Sequence, residues 1–161
     1  MKTSANLLLM ILLSFGCTQS SELDTSEYRR LYFRYLGIHE RSSERLQSLR
    51  GQDRSKARSG LRENMRIKRD DLRRLSFEVN HRNEFQGKND VGDRFLEVIL
   101  LEVQNLDEAE RILASDLPER TKSEQLDNNS QHLRAIYDRY LPRLMQDLDI
   151  PMDTKGLLEQ V

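Results

Sequence analysis

With 161 residues, the chain has room for one domain with a modest core. It is 33% charged and 37% hydrophobic, with 6% aromatic residues, no Trp, seven Gly and three Pro, a mix that argues against a β-rich fold and for amphipathic helices. The net charge of −1 conceals a split: Glu27 to Arg82 holds 16 Lys/Arg and 8 Asp/Glu, a net of +8, and Asn83 to Val161 holds 9 and 17, a net of −8.

The chain opens MKTSANLLLMILLSFGC. Lys2 gives a short positive start, and Leu7 to Phe15 is an apolar run broken only by Ser14. That length suits the hydrophobic region of a signal peptide and is too short to span a bilayer. The ending, with Leu13, Gly16 and Cys17, resembles a bacterial lipoprotein signal, in which a small residue precedes a Cys that is acylated and becomes N-terminal. Phe15 is bulky for its place, and the usual Leu is displaced by one residue. The resemblance implies removal of residues 1–16, lipidation (diacylglycerol and palmitate) at Cys17, and a lipid-anchored protein of the bacterial envelope. Thr18 in place of Asp inclines it to the outer membrane, facing the periplasm. Cys17 is the only Cys, so no intramolecular disulfide can form. An ordinary secretory signal or an uncleaved anchor are the alternatives.

Residues 17–26 read as a lipidated Cys and a polar tether, and residues 27–161 as a single helical domain. Ser26 is a candidate helix cap. Tyr28, Leu31, Tyr32, Tyr35 and Leu36 then recur with helical spacing, and His39 continues the row. The Tyr28, Tyr32 and Tyr35 row, with Phe33, fits packing against other helices better than contact with lipid headgroups. Further on, Ala57, Leu61, Met65, Lys68, Leu72, Leu75 and Val79 advance by three or four, a coiled-coil-like seam with one Lys in it, which permits a homodimer. One long helix from about Ser26 to about Phe85 fits this register; a break at Gly51 is the alternative. The basic helical region is expected over 27–86.

Beside the seam runs a row of arginines: Arg50, Arg54, Arg58, Arg62, Arg66, Arg69 and Arg73. Like charges at this spacing repel, so the row favours an anionic neighbour. Partial local relief is expected from Asp70 and Asp71 at Arg74. The plainest neighbour for the row itself is the chain's own acidic half, at Glu97, Glu102, Asp107, Glu108 and Glu110. An anionic envelope surface gripped by Arg54, Arg58, Arg62, Arg66, Arg69 and Arg73 is the second reading. Nucleic acid is not expected, because an exported protein leaves it behind and the row lacks interleaved aromatics.

Residues 87–93, GKNDVGD, form the clearest turn and coincide with the charge reversal. The acidic helices follow over 94–161. Phe95, Val98, Ile99, Glu102, Leu106, Ala109 and Leu113 share one face of a helix apolar enough to be the bundle centre. Residues 115–118, SDLP, stop that helix and start another. Its seam is Leu126, Leu133, Tyr137, Tyr140, Leu144 and Leu148, with a local break expected at residues 127–130 (DNNS) and a kink or restart at Pro142. A short last helix is expected after Asp153. The fold class is therefore all-α: an antiparallel bundle or elongated hairpin of three main helices plus a short C-terminal one.

No catalytic motif is present, and neither an enzyme nor a cofactor is expected. His81 and Glu84, at i,i+3, are the weak metal candidates. The segment YLGIHERSSERLQSLR resembles the Leu-Gly-Leu opening of the Spy and CnrX type of periplasmic helical proteins, without their Leu-Thr-x-x-Gln element. That resemblance implies a stress chaperone or metal-responsive sensor. The leading expectation is a non-catalytic envelope lipoprotein, an adaptor or assembly factor with an envelope protein partner.

Overall fold

The computed structural model describes residues 25–86 and 89–151. Cys17, the tether and the expected last helix after Asp153 lie outside the described residues. Four helices follow in chain order: α1 Ser26–Ser48, α2 Arg54–Gln86, α3 Asp90–Ala114 and α4 Glu119–Asp147, with no strand among the described residues. The all-α bundle is therefore as expected, with four helices where three main ones were foreseen.

The extra helix arises at Gly51, where the alternative reading of the first segment holds. Gly51 has φ +82°, a left-handed conformation that side-chain-bearing residues rarely adopt. Asp53 then caps α2: its Oδ1 accepts from the amides of Ser55 (3.1 Å) and Lys56 (3.0 Å). Ser26 is not a cap. It is the first residue of α1, and Thr25 before it makes no side-chain cap bond. The second turn is shorter than residues 87–93, because α3 already begins at Asp90, capped by Asn89 Oδ1 accepting from the Gly92 amide at 2.8 Å.

The local break expected at residues 127–130 and the restart expected at Pro142 do not occur. α4 runs unbroken through Asn129 and Pro142. Pro142 removes one backbone donor, but Leu141, Leu144 and Met145 around it are fully buried, and their packing outweighs that loss. Asn129 is a poor helix former with a tertiary task. Its Nδ2 donates to the Asn105 carbonyl at 3.0 Å, and Asn105 Nδ2 donates back to the Asn129 carbonyl and Oδ1, each at 2.8 Å.

The helices alternate up and down, each packed on the next. Pairs such as Arg41–Asp71 and Arg73–Asp107 lie across the antiparallel contacts of α1 with α2 and α2 with α3. The fourth helix returns to the first, where Arg29 Nε donates to the Leu148 carbonyl at 2.9 Å. At this same end α1 begins and α2 finishes, and Tyr28 Oη donates to Asn83 Oδ1 at 2.7 Å and accepts from Asn89 Nδ2 at 2.9 Å. The tyrosine row of α1 is thus core: Tyr28, Tyr32 and Tyr35 have no exposed surface, and Tyr32 and Tyr35 each lie 5.9 Å, centroid to centroid, from Phe95. The seam of α2 also faces inward, with Leu72, Leu75 and Val79 buried within the chain's own bundle.

Two glycines separate conformational from steric demands. A Cβ on Gly51 would meet no atom within 4 Å, whereas one on Gly92 would fall 1.8 Å from Asn83 Oδ1 and 2.8 Å from Tyr28 Oη. Gly51→Ala is expected to cost about 1 kcal/mol, through backbone strain alone. Gly92→Ala is expected to cost about 2–3 kcal/mol, by forcing apart the Tyr28–Asn83–Asn89 network. Urea unfolding of the two variants checks the order, and equal losses would refute it.

Candidate functional site

From Arg54 to Arg73 the arginine row is held by the chain itself. Arg54 and Arg58 both reach Glu119 at the start of α4. Arg62 donates to the Leu113 carbonyl at 2.8 Å, at the C-terminal end of α3, where helix carbonyls lack intrahelical partners. Arg66 is bonded within its own helix to Glu63 and Asp70. Arg69 binds Asp107 and Glu110, and Arg73 binds Asp107. Of the acids foreseen as partners, Asp107 and Glu110 serve the row, Glu108 pairs with Arg111 on its own helix, and Glu102 goes elsewhere. Asp70 and Asp71 do not reach Arg74: Asp70 binds Arg66, and Asp71 faces Arg41 of α1 at 3.8 Å.

The two metal candidates each have other neighbours. His81 stands between Phe77 and Phe85, with ring centroids 6.3 Å and 4.6 Å away, while Glu84 Oε1 accepts from Asn80 at 2.9 Å. Among the described residues there is no cluster of three or more His, Cys, Asp or Glu arranged to hold a metal ion.

The densest polar constellation lies in the core. Glu102 of α3 has no exposed surface, yet two other helices aim polar groups at its carboxylate. Tyr35 of α1 donates to Oε2 at 2.7 Å, and His39 Nε2, one turn on, lies 3.1 Å from the same oxygen. Lys68 of α2, only 4% exposed, brings its Nζ to 2.9 Å from Oε1. That last contact is an ion pair without hydrogen-bond alignment, since Oε1 makes no geometrically proper hydrogen bond. From α4, Tyr137 closes the cluster, its ring 6.0 Å from His39.

Helical arithmetic explains how these residues meet. Tyr35 and His39 are i,i+4 on α1, so both face α3. Lys68 occupies the one polar position of the α2 seam, and Glu102 the one polar position of the α3 face. Sequence reading put both on buried faces but assigned Glu102 to the arginine row. Two isolated, oppositely charged residues on two apolar seams were the signal available for pairing them.

Burial by itself would push the Glu102 carboxyl up, but the neighbouring His39 and Lys68 outweigh it, so the group is held below the usual carboxylate range and stays ionised. Burial dominates at His39 and pushes its pKa down; Lys68 adds to this, and Glu102 opposes it incompletely. The imidazole is thus neutral at pH 7 and donates from Nε2. Burial and the Glu102 carboxylate push the Tyr35 and Tyr137 hydroxyls well up, and burial pushes Tyr32 up to about 12. Tyr32 Oη, Tyr137 Oη and His39 Nδ1 are buried without a hydrogen bond. The arrangement is therefore chemically quiet: a fixed anion, a fixed cation and hydroxyls that keep their protons.

Comparison of the chain with protein-family models, with curated proteins and with solved structures found no match.

Removing Lys68 alone leaves Glu102 buried without its cation, so Lys68→Met is expected to cost about 3–5 kcal/mol. Lys68→Met with Glu102→Leu should recover most of that loss, as a chemical-denaturation double-mutant cycle would show. Both depressed groups bind protons more tightly in the unfolded chain, from the ordinary values of 6.5 for His39 and 4.5 for Glu102. Stability should therefore be full above about pH 6.5, fall as His39 is forced to protonate, and fall further below about pH 4.5. His39→Gln should flatten the first decline and leave the second; an unchanged profile would remove His39 from this account.

Proposed function

We propose that the protein is a non-catalytic, lipid-anchored helical protein of a bacterial envelope, acting as an adaptor or assembly factor for a protein partner. The observation that carries this reading is the opening MKTSANLLLMILLSFGC, a short positive start, an apolar run and a small residue before the single Cys. The helical body is consistent with it. Ser26 begins α1 nine residues after Cys17, so a short polar segment separates anchor from body. Among the described residues, no helix is long and apolar enough to cross a membrane. Two acyl chains on Cys17 meet the two-signal requirement for stable membrane attachment.

A non-catalytic role agrees with the chemistry of the core. The best-formed group of titratable side chains is sealed from solvent and balanced internally, which suits rigidity more than turnover. Adaptors work by presenting a fixed surface, and a bundle cross-braced from α1 to α4 presents one.

Cells treated with an inhibitor of lipoprotein signal peptidase should accumulate a precursor, and Cys17→Ala should release the chain from the membrane fraction. Unchanged processing and fractionation would end the anchor reading. In-cell crosslinking with mass spectrometry should recover the same envelope protein repeatedly. A purified chain that instead suppresses client aggregation, or binds metal through His81 and Glu84, would favour the chaperone or sensor alternative.

A further inference from the structure

Four phenylalanines fall among the described residues, and three are exposed: Phe33 by 52%, Phe77 by 72% and Phe85 by 74%. All three lie on α1 and α2, towards the end of the bundle where α1 begins. On α2, Arg74, Phe77, His81 and Phe85 advance by three, four and four residues, a single stripe on one helix face. Phe77 stacks on His81, their planes 4° apart, and His81 meets Phe85 edge-on. Together with Arg30 and Arg34 of α1, this ridge borders an open groove of about 460 Å³. Arg82, within the ridge, pairs with Glu27 in the first turn of α1, so ridge and chain entry are adjacent.

An apolar ridge of this kind needs an occupant. We infer that the face formed by Phe77, His81 and Phe85, with Arg30 and Arg74 beside it, rests on the anionic headgroup layer of the membrane to which the chain is anchored. The inference rests on the anchor reading, because reach is part of it. Nine residues from Cys17 to Ser26 span at most about 30 Å. The ridge is at the end that this leash holds near the bilayer.

Charge gives the second argument. The groove is bordered by three arginines, Arg30, Arg34 and Arg82, against two acids, Glu27 and Glu78. Arg34 and Arg82 are neutralised by Glu78 and Glu27. Arg30 acts on Glu78 only at longer range, behind the direct pair with Arg34, and Arg74 makes no ion pair or hydrogen bond among the described residues. An excess of arginine over acid at the groove, with Arg74 beside the exposed aromatic rings, fits an anionic interface, where rings lie at headgroup level and phosphates meet arginines. The contact places α2 along the surface and turns its far end, with Arg54 and Arg58, away from the anchor.

The test uses the full chain in vesicles of phosphatidylethanolamine and phosphatidylglycerol. An environment-sensitive fluorophore is attached through His81→Cys, or through Arg120→Cys at the opposite end of the bundle. The unsubstituted chain reports any labelling at Cys17, and mass spectrometry reports acylation. A nitroxide lipid labelled near the headgroup should quench the probe at position 81 and spare the one at 120. Phe77→Ser with Phe85→Ser, both exposed positions, should abolish that quenching while helix content is unchanged. Arg30→Gln with Arg74→Gln should weaken it only on anionic vesicles. Quenching at 81 without acylation supports the ridge and refutes the anchor, and acylation without quenching does the reverse. Absence of both overturns both proposals. A concentration-dependent dimer that the double Ser variant abolishes would assign the ridge to a second copy and overturn the membrane contact.

Discussion

Glu102 of α3 carries a negative charge where no solvent reaches, and α1 and α2 are held against α3 by having to answer it. Lys68 from α2 supplies the countercharge, and Tyr35 and His39 from α1 supply donors. Apolar burial drives the helices together but tolerates many rotations and slips. A buried ion does not, because a shift of one residue on any of the three helices would leave a charge or donor unmatched in a medium of low polarity. In this bundle the polar cluster and the reciprocal amides of Asn105 and Asn129 define register, while the tyrosines, leucines and valines around them provide the cohesion.

The opposed charges of the two halves serve the same geometry at the surface. A row of guanidinium groups on α2 faces acids of α3 and the first turn of α4. Exposed pairs of this kind contribute little each. Their larger effect is against wrong arrangements, since an arginine row laid beside another basic face would be repelled. Where the row ends, the surface changes character: beyond Arg73 the exposed face of α2 carries Arg74, Phe77, His81 and Phe85. The exposed face of α2 therefore passes from arginines paired within the chain to an aromatic stripe, while Leu72, Leu75 and Val79 on its other side stay buried.

Much of the scaffold was legible from particular residues. The helical class, the stop at residues 115–118 and the buried tyrosine row follow from periodicity and from Pro118. Gly51 was legible only as an alternative, because the hydrophobic pattern runs on across it and the positive φ is a property of the folded turn. Asn129 and Pro142 misled for the opposite reason. Local propensity disfavours helix at both, and tertiary contacts of Asn129 with Asn105 and of Leu141, Leu144 and Met145 with the core overrode it. At the polar cluster, Lys68 and Glu102 were each visible as exceptions on an apolar seam, but nothing in either helix alone said that they meet.

The amino-acid sequence by itself determined that the chain is helical, and it set the apolar face and the charge of each segment, all through neighbours within a few residues. It also carries the signal-like opening on which the proposed location rests. Only the tertiary structure decided which faces meet. Successive residues are rotated by about 100° along a helix, so a small change in register redirects every side chain towards a different neighbour. Relative rotation of helices is a property of pairs, and it sent Glu102 to Lys68 instead of to the arginines and left three phenylalanines on the outside.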